Sequence, residues 1–342
     1  MSENVHSNCS DCDETEQTSG TLLSEELAYT IHQSFQYVLL PCFSLLGIAG
    51  NVTSIVLLTR QGFRKCSNIL LLALAVSDIL FLIGVNNFPL YVYNNSVPPG
   101  FQFSAPVNYI FYIMWLAFMC ARTIGIQTAM CIPVLITGER ILAILCPLKV
   151  YFIITRRRTV ITVSILYALN GVYFIYRLIL SLQLKHFIVQ GISLSRIVYT
   201  DLYRYAVESG LYGLLEHIVN YVTGIIPICL VTIGCVIIGT QITVVTNKRK
   251  TLTLRQAKST NKHLISKTTK TLFSICVLYI FCSGFAFAIG YLATFTQVAQ
   301  DLPLTDLLGS VEDLLLCINC IGDFVIYVGA NNRFRKSRKF RF

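Results

Sequence analysis

The sequence predicts an all-α membrane protein, a bundle of seven transmembrane helices followed by a short cytosolic amphipathic helix. Charged residues make up only 13% of the chain, about half the usual share in soluble domains, and 54% of the residues are hydrophobic. Seven apolar runs reach or exceed the length of about 20 residues that crosses a bilayer. Most of the 27 Lys and Arg residues lie between alternate runs, as in multi-pass membrane proteins.

The seven runs give the organisation of the chain. The predicted spans lie near residues 35–59, 69–93, 107–137, 159–184, 218–246, 271–296 and 307–330. We therefore divide the chain into an N-terminal tail (1–34), a membrane bundle (35–330) and a short helix with its tail (331–342). A β-barrel is excluded because the runs do not alternate with a period of two and exceed the about 10 residues of a membrane strand.

The charge distribution predicts the orientation. Basic segments follow the first, third, fifth and seventh spans, whereas the first 34 residues contain acids but no Lys or Arg. The positive-inside rule then places the C-terminus of this multi-pass protein in the cytosol and the N-terminus outside. The net charge of +10 thus indicates loops that face anionic membrane lipids rather than a nucleic-acid surface. Asn8 and Asn94 begin N-x-S/T motifs on the predicted outer side, so we expect glycosylation there.

Cysteine usage predicts neither a disulfide nor a metal site. Most of the 13 cysteines fall within the predicted spans, where thiols pack as small apolar groups. Only Cys9 and Cys12 are plainly external, and their spacing is not that of a metal site.

Polar residues within the spans are candidates for function, since each is costly in lipid. Asn51, Asp78 and Asp323 lie about 10–13 Å from the cytosolic ends of three spans, and Asn319 is one turn above Asp323. Two nearby carboxylates do not both stay charged cheaply, so either one is protonated or a small cation such as sodium lies between them. The alternative is a hydrogen-bonded network that only holds the helices together. A sodium ion is the only cofactor that this pattern allows for.

Two arginines lie on one face of the third span. Arg140 follows Arg122 by eighteen residues, or five helical turns, so both face the bundle interior about 27 Å apart. Glu139 and Arg140 at the cytosolic end could form a local ion pair of little energetic value. Arg122 needs a partner, and two are available: Asp313 or Glu312 of the seventh span, or an acidic group of a ligand. Both alternatives hold if Arg122 forms a salt bridge to Asp313 in the resting state and an acidic ligand breaks that salt bridge.

Several motifs of the sequence resemble those of the rhodopsin-like (class A) G-protein-coupled receptors, and they extend over essentially the whole membrane region. The matching segments, in chain order, are Gly47-x-x-Gly50-Asn51-Val52, Leu74-Ala75-Val76-Ser77-Asp78, Glu139-Arg140 with Cys146-Pro147-Leu148-Lys149, Pro227, and Asn319-Cys320-x-x-Asp323-Phe324-Val325-Ile326-Tyr327. The stretch from Pro147 to Arg158 is also similar to invertebrate chemosensory and neuropeptide receptors.

The resemblance implies a receptor that transmits the binding of an extracellular ligand, a peptide or a small chemosensory molecule, to a heterotrimeric G protein. It implies that Glu139 and Arg140 form the G-protein switch, that Asn51, Asp78, Asn319, Asp323 and Tyr327 form the polar core, and that the chain is not an enzyme. A seven-span transporter, a ligand-gated channel or a diverged non-signalling receptor are the alternatives.

The chain also departs from the family pattern. Trp115 stands where the third helix usually has its disulfide cysteine, and no cysteine occurs between Cys146 and Cys229. The sixth helix reads Cys282-Ser283-Gly284-Phe285 and lacks the switch tryptophan and the proline. We expect helix bends at Pro133, Pro227 and Gly284 instead.

Overall fold

The computed structural model describes residues 25–63, 65–146, 148–189, 192–253, 262–295 and 302–330. Its elements are α1 (Glu25–Ser34), α2 (Leu40–Gln61), α3 (Cys66–Val85), α4 (Phe88–Asn95), α5 (Ala105–Leu145), α6 (Val150–Ile153), α7 (Arg156–Ser181), β1 (Leu182–Val189), β2 (Ile192–Tyr199), α8 (Asp201–Glu208), α9 (Leu211–Asn220), α10 (Ile226–Thr253), α11 (Lys262–Phe295) and α12 (Leu302–Ala330). The predicted helical membrane fold is confirmed.

Six of the described helical stretches are long and apolar enough to cross a membrane: Tyr29–Gln61, Cys66–Asn95, Ala105–Leu145, Arg156–Leu180, Leu211–Gln241 and Thr271–Leu292. We call them the first to sixth spans. The seventh span is α12, which is 29 residues long and carries four acidic residues. Those acids distinguish its composition from that of the other six spans.

The helices extend beyond several predicted boundaries. Helical structure begins at Glu25 rather than at residue 35, and the third helix runs to Leu145 rather than to 137. The fourth helix ends at Ser181, so residues 182–184, which were predicted to be helical, start strand β1 instead. The predicted cytosolic helix at 331–342 lies outside the described residues.

Two π-helical segments interrupt the spans, and each lies just before a proline. They are Phe35–Leu39 before Pro41 and Tyr221–Ile225 before Pro227. The amides of Leu40 and Ile226 donate to carbonyls five residues back, at Phe35 and Tyr221. A proline ring clashes with the carbonyl four residues before it, so the preceding turn widens.

Glycines let the spans approach closely at the centre of the bundle. A Cβ on Gly84 would overlap the backbone of Arg122, and one on Gly125 would overlap the backbone of Phe81. These contacts join α3 to α5. Because small residues allow backbones to meet, as is usual between membrane helices, the position of Arg122 in the bundle is tightly fixed.

The bundle has two distinct ends. Strands β1 and β2 form an antiparallel hairpin in which Leu182 pairs with Tyr199 and Val189 with Ile192. We call this side the hairpin end. The opposite side carries Arg60, Arg140 and Arg156, and we call it the basic end.

Candidate functional site

A polar cavity lies in the core between the first, second and seventh spans. Asn51, Asp78, Asn319 and Asp323 are all buried, and Asp78 is fully buried. The Asn51 amide donates to the carbonyls of Gly47 at 3.1 Å and Cys320 at 3.2 Å, which joins the first span to the seventh. The structure thus brings together the polar residues that the sequence places at one depth.

The cavity has a volume of about 10 Å³, and its polar lining consists of Asn51, Ser54, Asp78, Asp323 and Tyr327. Several buried oxygens around it have no hydrogen-bond partner among the described residues, namely Ser54 Oγ, both carboxylate oxygens of Asp78, Asn319 Oδ1 and Asp323 Oδ1. The Tyr327 hydroxyl lies near the Gln61 side chain. The thiol of Cys320, a weak donor, faces Asp78. A space of this size holds about one water molecule or small ion, and oxygen ligands suit a hard cation.

An ion pair joins the third and seventh spans in the half of the bundle nearer the hairpin. The Nη2 atom of Arg122 lies 2.6 Å from Oδ1 of Asp313. The Arg122 side chain is 41% exposed and that of Asp313 is 13% exposed, so the pair lies at the edge of an open space. Of the two acids predicted as partners, Asp313 makes the contact and Glu312 does not.

A pocket of about 340 Å³ lies between the fifth, sixth and seventh spans, and Glu312, the chain neighbour of Asp313, lines it. It is lined by His217, Asn220, Tyr221, Ile225, Phe287, Gly290, Tyr291 and Glu312. The π-helical turn at Tyr221–Ile225 forms one wall. There the Phe287 ring fits against Gly224, on which a Cβ would lie 2.8 Å from Cε2. Of these lining residues, the sequence analysis predicted only Glu312 as part of a ligand site. Pro227 was the sequence signal for the π-helical turn that precedes it.

The hairpin is held over the bundle without a disulfide of its own. Phe101 and Ser195 form a two-way backbone bridge, with N–O distances of 2.9 Å in both directions. The buried Asn108 side chain donates to Ser195 Oγ at 2.7 Å and to the Phe103 carbonyl at 3.0 Å. Trp115 is buried with Phe101 and Tyr112 in an apolar cluster under the hairpin. Hydrogen bonds and aromatic packing thus hold the hairpin where the family usually has a covalent link.

At the basic end, the adjacent Glu139 and Arg140 pair with each other at 3.5 Å. Both side chains are largely buried, at 14% and 15% exposed. Glu139 Oε2 and Arg140 Nε have no hydrogen-bond partner among the described residues. The local ion pair is therefore the arrangement seen, and it leaves part of both groups unsatisfied.

The predicted bend positions have different structural settings. Pro133 is buried within the unbroken helix α5, and Thr137 Oγ1 donates to its carbonyl at 2.7 Å. Pro227 follows a π-helical turn, as described above. Gly284 lies within helix α11, which continues through it, and a Cβ there would meet no atom within 4 Å.

An exposed apolar patch, which sequence reasoning missed, lies on the loop after the third span. Leu148, Tyr151 and Phe152 are 80–84% exposed around the short helix α6. Arg158 Nη1 donates to the carbonyls of Phe152 and Ile153, which fixes the patch beside the next span. In the sequence, the signal for this patch was a group of apolar residues directly before a run of arginines.

The remaining predicted positions lie at the surface or outside the described residues. Asn94 is exposed near the end of helix α4, on the hairpin side, and Asn8 lies outside the described residues. Across the residues the structure describes, no group of three or more His, Cys, Asp and Glu side chains could hold a metal ion.

Together, the fold and these sites define a multi-pass membrane protein of the receptor class, with a pocket near one end and the Glu139–Arg140 pair near the other. The family model of seven-transmembrane receptors of the rhodopsin family matches residues 50–327. The chain therefore belongs to this family, whose members are receptors rather than enzymes. A comparison with curated proteins finds no match for the chain.

Proposed function

We propose that the protein is a G-protein-coupled receptor of the plasma membrane, with its hairpin end outside and its basic end in the cytosol. The distribution of Lys and Arg supports this orientation, since they cluster in the segments after alternate spans. The exposed Asn94 at the hairpin end is then available for glycosylation.

The observation that carries the proposal is a pocket on the hairpin side that Glu312 lines, one residue along the seventh span from the Arg122–Asp313 ion pair. A pocket of about 340 Å³ suits a small molecule or one end of a peptide. The pair of Arg122 and Asp313 joins two spans, so a ligand that prefers the separated state shifts the bundle toward it. In this role the pair is a lock on the resting receptor.

Coupling to a heterotrimeric G protein is assigned to the basic end. Arg140 is held by a partly unsatisfied pair with Glu139, so another acceptor can replace that contact at little cost. The exposed apolar patch of Leu148, Tyr151 and Phe152 supplies the hydrophobic anchors that interfaces need.

The core cavity is proposed to bind a sodium ion in the resting state. Oxygens of Asp78 and Asp323 would hold it, with the hydroxyls of Ser54 and Tyr327 near by. Such a cation would balance two buried carboxylates, and its loss on activation would link the pocket to the basic end.

The test is guanine-nucleotide exchange by co-expressed G proteins in membranes that contain the receptor. The panel comprises peptides, amino acids and small odorants. Ligand-stimulated exchange with at least one G protein is expected. Ion flux in liposomes with purified protein would instead indicate a channel or transporter. Ligand binding without exchange by any G protein class would indicate a non-signalling receptor, which the absence of the sixth-helix tryptophan and proline around Ser283 also fits.

A further inference from the structure

Two adjacent acidic residues of the seventh span point to different partners. Asp313 binds Arg122 across the bundle at 2.6 Å. Glu312 instead lies against the sixth span, where a Cβ on Gly290 would be 3.0 Å from its Oε2 atom. A glycine at position 290 therefore leaves the space that the Glu312 carboxylate occupies.

The charges around the pocket do not balance. One guanidinium, that of Arg122, faces the two carboxylates of Asp313 and Glu312, and it is bonded to Asp313. The pocket lining contains no Lys or Arg, and no described cation lies within 4 Å of Glu312. When ionised, Arg122, Asp313 and Glu312 together carry one net negative charge, and the basic side chain in the pocket lining is His217. A partly desolvated carboxylate is poorly tolerated without a cation near it.

The walls of the pocket suit a positive group. Tyr221, Phe287 and Tyr291 line it together with Glu312. Aromatic faces attract ammonium and guanidinium groups through the ring quadrupole, and they do so more strongly where water is excluded. A carboxylate surrounded by aromatic rings therefore selects cations over anions.

We propose that the ligand carries an ammonium group that binds Glu312 and does not take the place of Asp313 on Arg122. This rests on the proposed receptor function and assigns the chemical class of its ligand. It differs from an acidic ligand that takes Asp313's place on Arg122, because that ligand would be repelled by Glu312. The ammonium can belong to a small amine or to the N-terminus of a peptide.

The experiment measures thermal stabilisation of the purified receptor by phenethylamine, 2-phenylethanol and phenylacetate. These probes share a ring and differ in the charge of one terminal group. We expect saturable stabilisation by the amine and none by the alcohol or the acid. Peptides with free and with acetylated N-termini then distinguish a small amine from a peptide N-terminus as the source of the ammonium. If the ligand is a peptide, the free peptide should compete with phenethylamine and the acetylated peptide should not.

Variants place the binding at Glu312. Glu312→Gln and Gly290→Ala should each weaken phenethylamine binding about tenfold or more, the second by displacing the carboxylate. Glu208→Gln, an exposed acid on α8 outside the pocket, is the matched control and should bind normally. Unchanged amine affinity in Glu312→Gln would overturn the proposal, as would stabilisation by phenylacetate that Arg122→Gln abolishes.

The readouts separate this proposal from the receptor function. Amine binding that depends on Glu312 without stimulated nucleotide exchange would leave the ligand class standing and remove the signalling role. Nucleotide exchange stimulated only by anionic or neutral ligands would support the signalling role and remove the proposed ammonium ligand class. If phenethylamine and the free peptides give no saturable stabilisation at millimolar concentration, the ammonium site is absent.

Discussion

Arg122 and Asp313 form the ion pair that joins the third and seventh spans, with Nη2 and Oδ1 2.6 Å apart. It is a single hydrogen-bonded contact between a half-exposed arginine and a largely buried aspartate, rather than a bidentate pair. Such a contact holds two helices in one arrangement and can still exchange partners.

Breaking this pair should raise signalling without ligand. Arg122→Gln and Asp313→Asn each leave one charge without its partner and remove the link between the spans. We expect several-fold higher basal nucleotide exchange for each, and a return toward the wild-type level when the charges are swapped in Arg122→Asp with Asp313→Arg. If both single variants keep wild-type basal exchange, the pair does not lock the resting receptor.

Arg140 should be needed for coupling but not for ligand binding. Arg140→Ala removes the guanidinium that the G protein is proposed to engage, so stimulated exchange should be lost while surface expression and ligand affinity stay near normal. Arg60→Ala, at an exposed position on the same end of the bundle, is the control. Normal stimulated exchange by Arg140→Ala would remove this role.

Asp78 should confer sodium sensitivity. In wild type we expect sodium to lower agonist affinity, because the ion would stabilise the resting state. Asp78→Asn should abolish that effect by removing one carboxylate from the cavity, whereas Asp306→Asn, outside it, should preserve the effect. Agonist affinities measured with sodium and with potassium test this. No difference between the two salts in wild type would make the cluster a packing element only.

Asn108 should stabilise the hairpin. Its amide donates to both Ser195 and Phe103, and its Oδ1 accepts from the Phe103 amide at 3.0 Å. Replacing it with alanine removes all three hydrogen bonds, each worth about 0.5–1.5 kcal/mol, while Ser195 Oγ keeps its contact with His186 Nδ1 at 2.6 Å. We expect a lower Tm and faster hydrogen exchange at residues 192–199 in Asn108→Ala than in Asn95→Ala, an exposed control. Equal exchange in both would show that Asn108 does not hold the hairpin.

The spans could be predicted because length and charge decide them, but several details of the site could not. Neighbouring residues on a helix differ in direction by about 100°, so the sequence alone did not tell which of Glu312 and Asp313 faces Arg122. That choice depends on Gly290, which makes room for Glu312 on the sixth span.

The hairpin escaped prediction for a related reason. Leu182 and Leu184 continue an apolar run that begins in the fourth span, so the pattern predicts that the helix extends through them. What decides the strand is pairing with residues 192–199 and a bridge to Phe101, both of them contacts between distant parts of the chain. By contrast, the shared depth of Asn51, Asp78 and Asp323 follows from helical rise alone.

The noncovalent contacts that attach the hairpin to the bundle have a consequence for the synthesis of this receptor and for its response to reductants. Ser195 is held by the Phe101 backbone and the Asn108 amide, and the hairpin itself contains no thiol. Its closure therefore needs no oxidising enzyme during synthesis. Thiol reductants, which would open a cystine at this place, leave the hairpin closed.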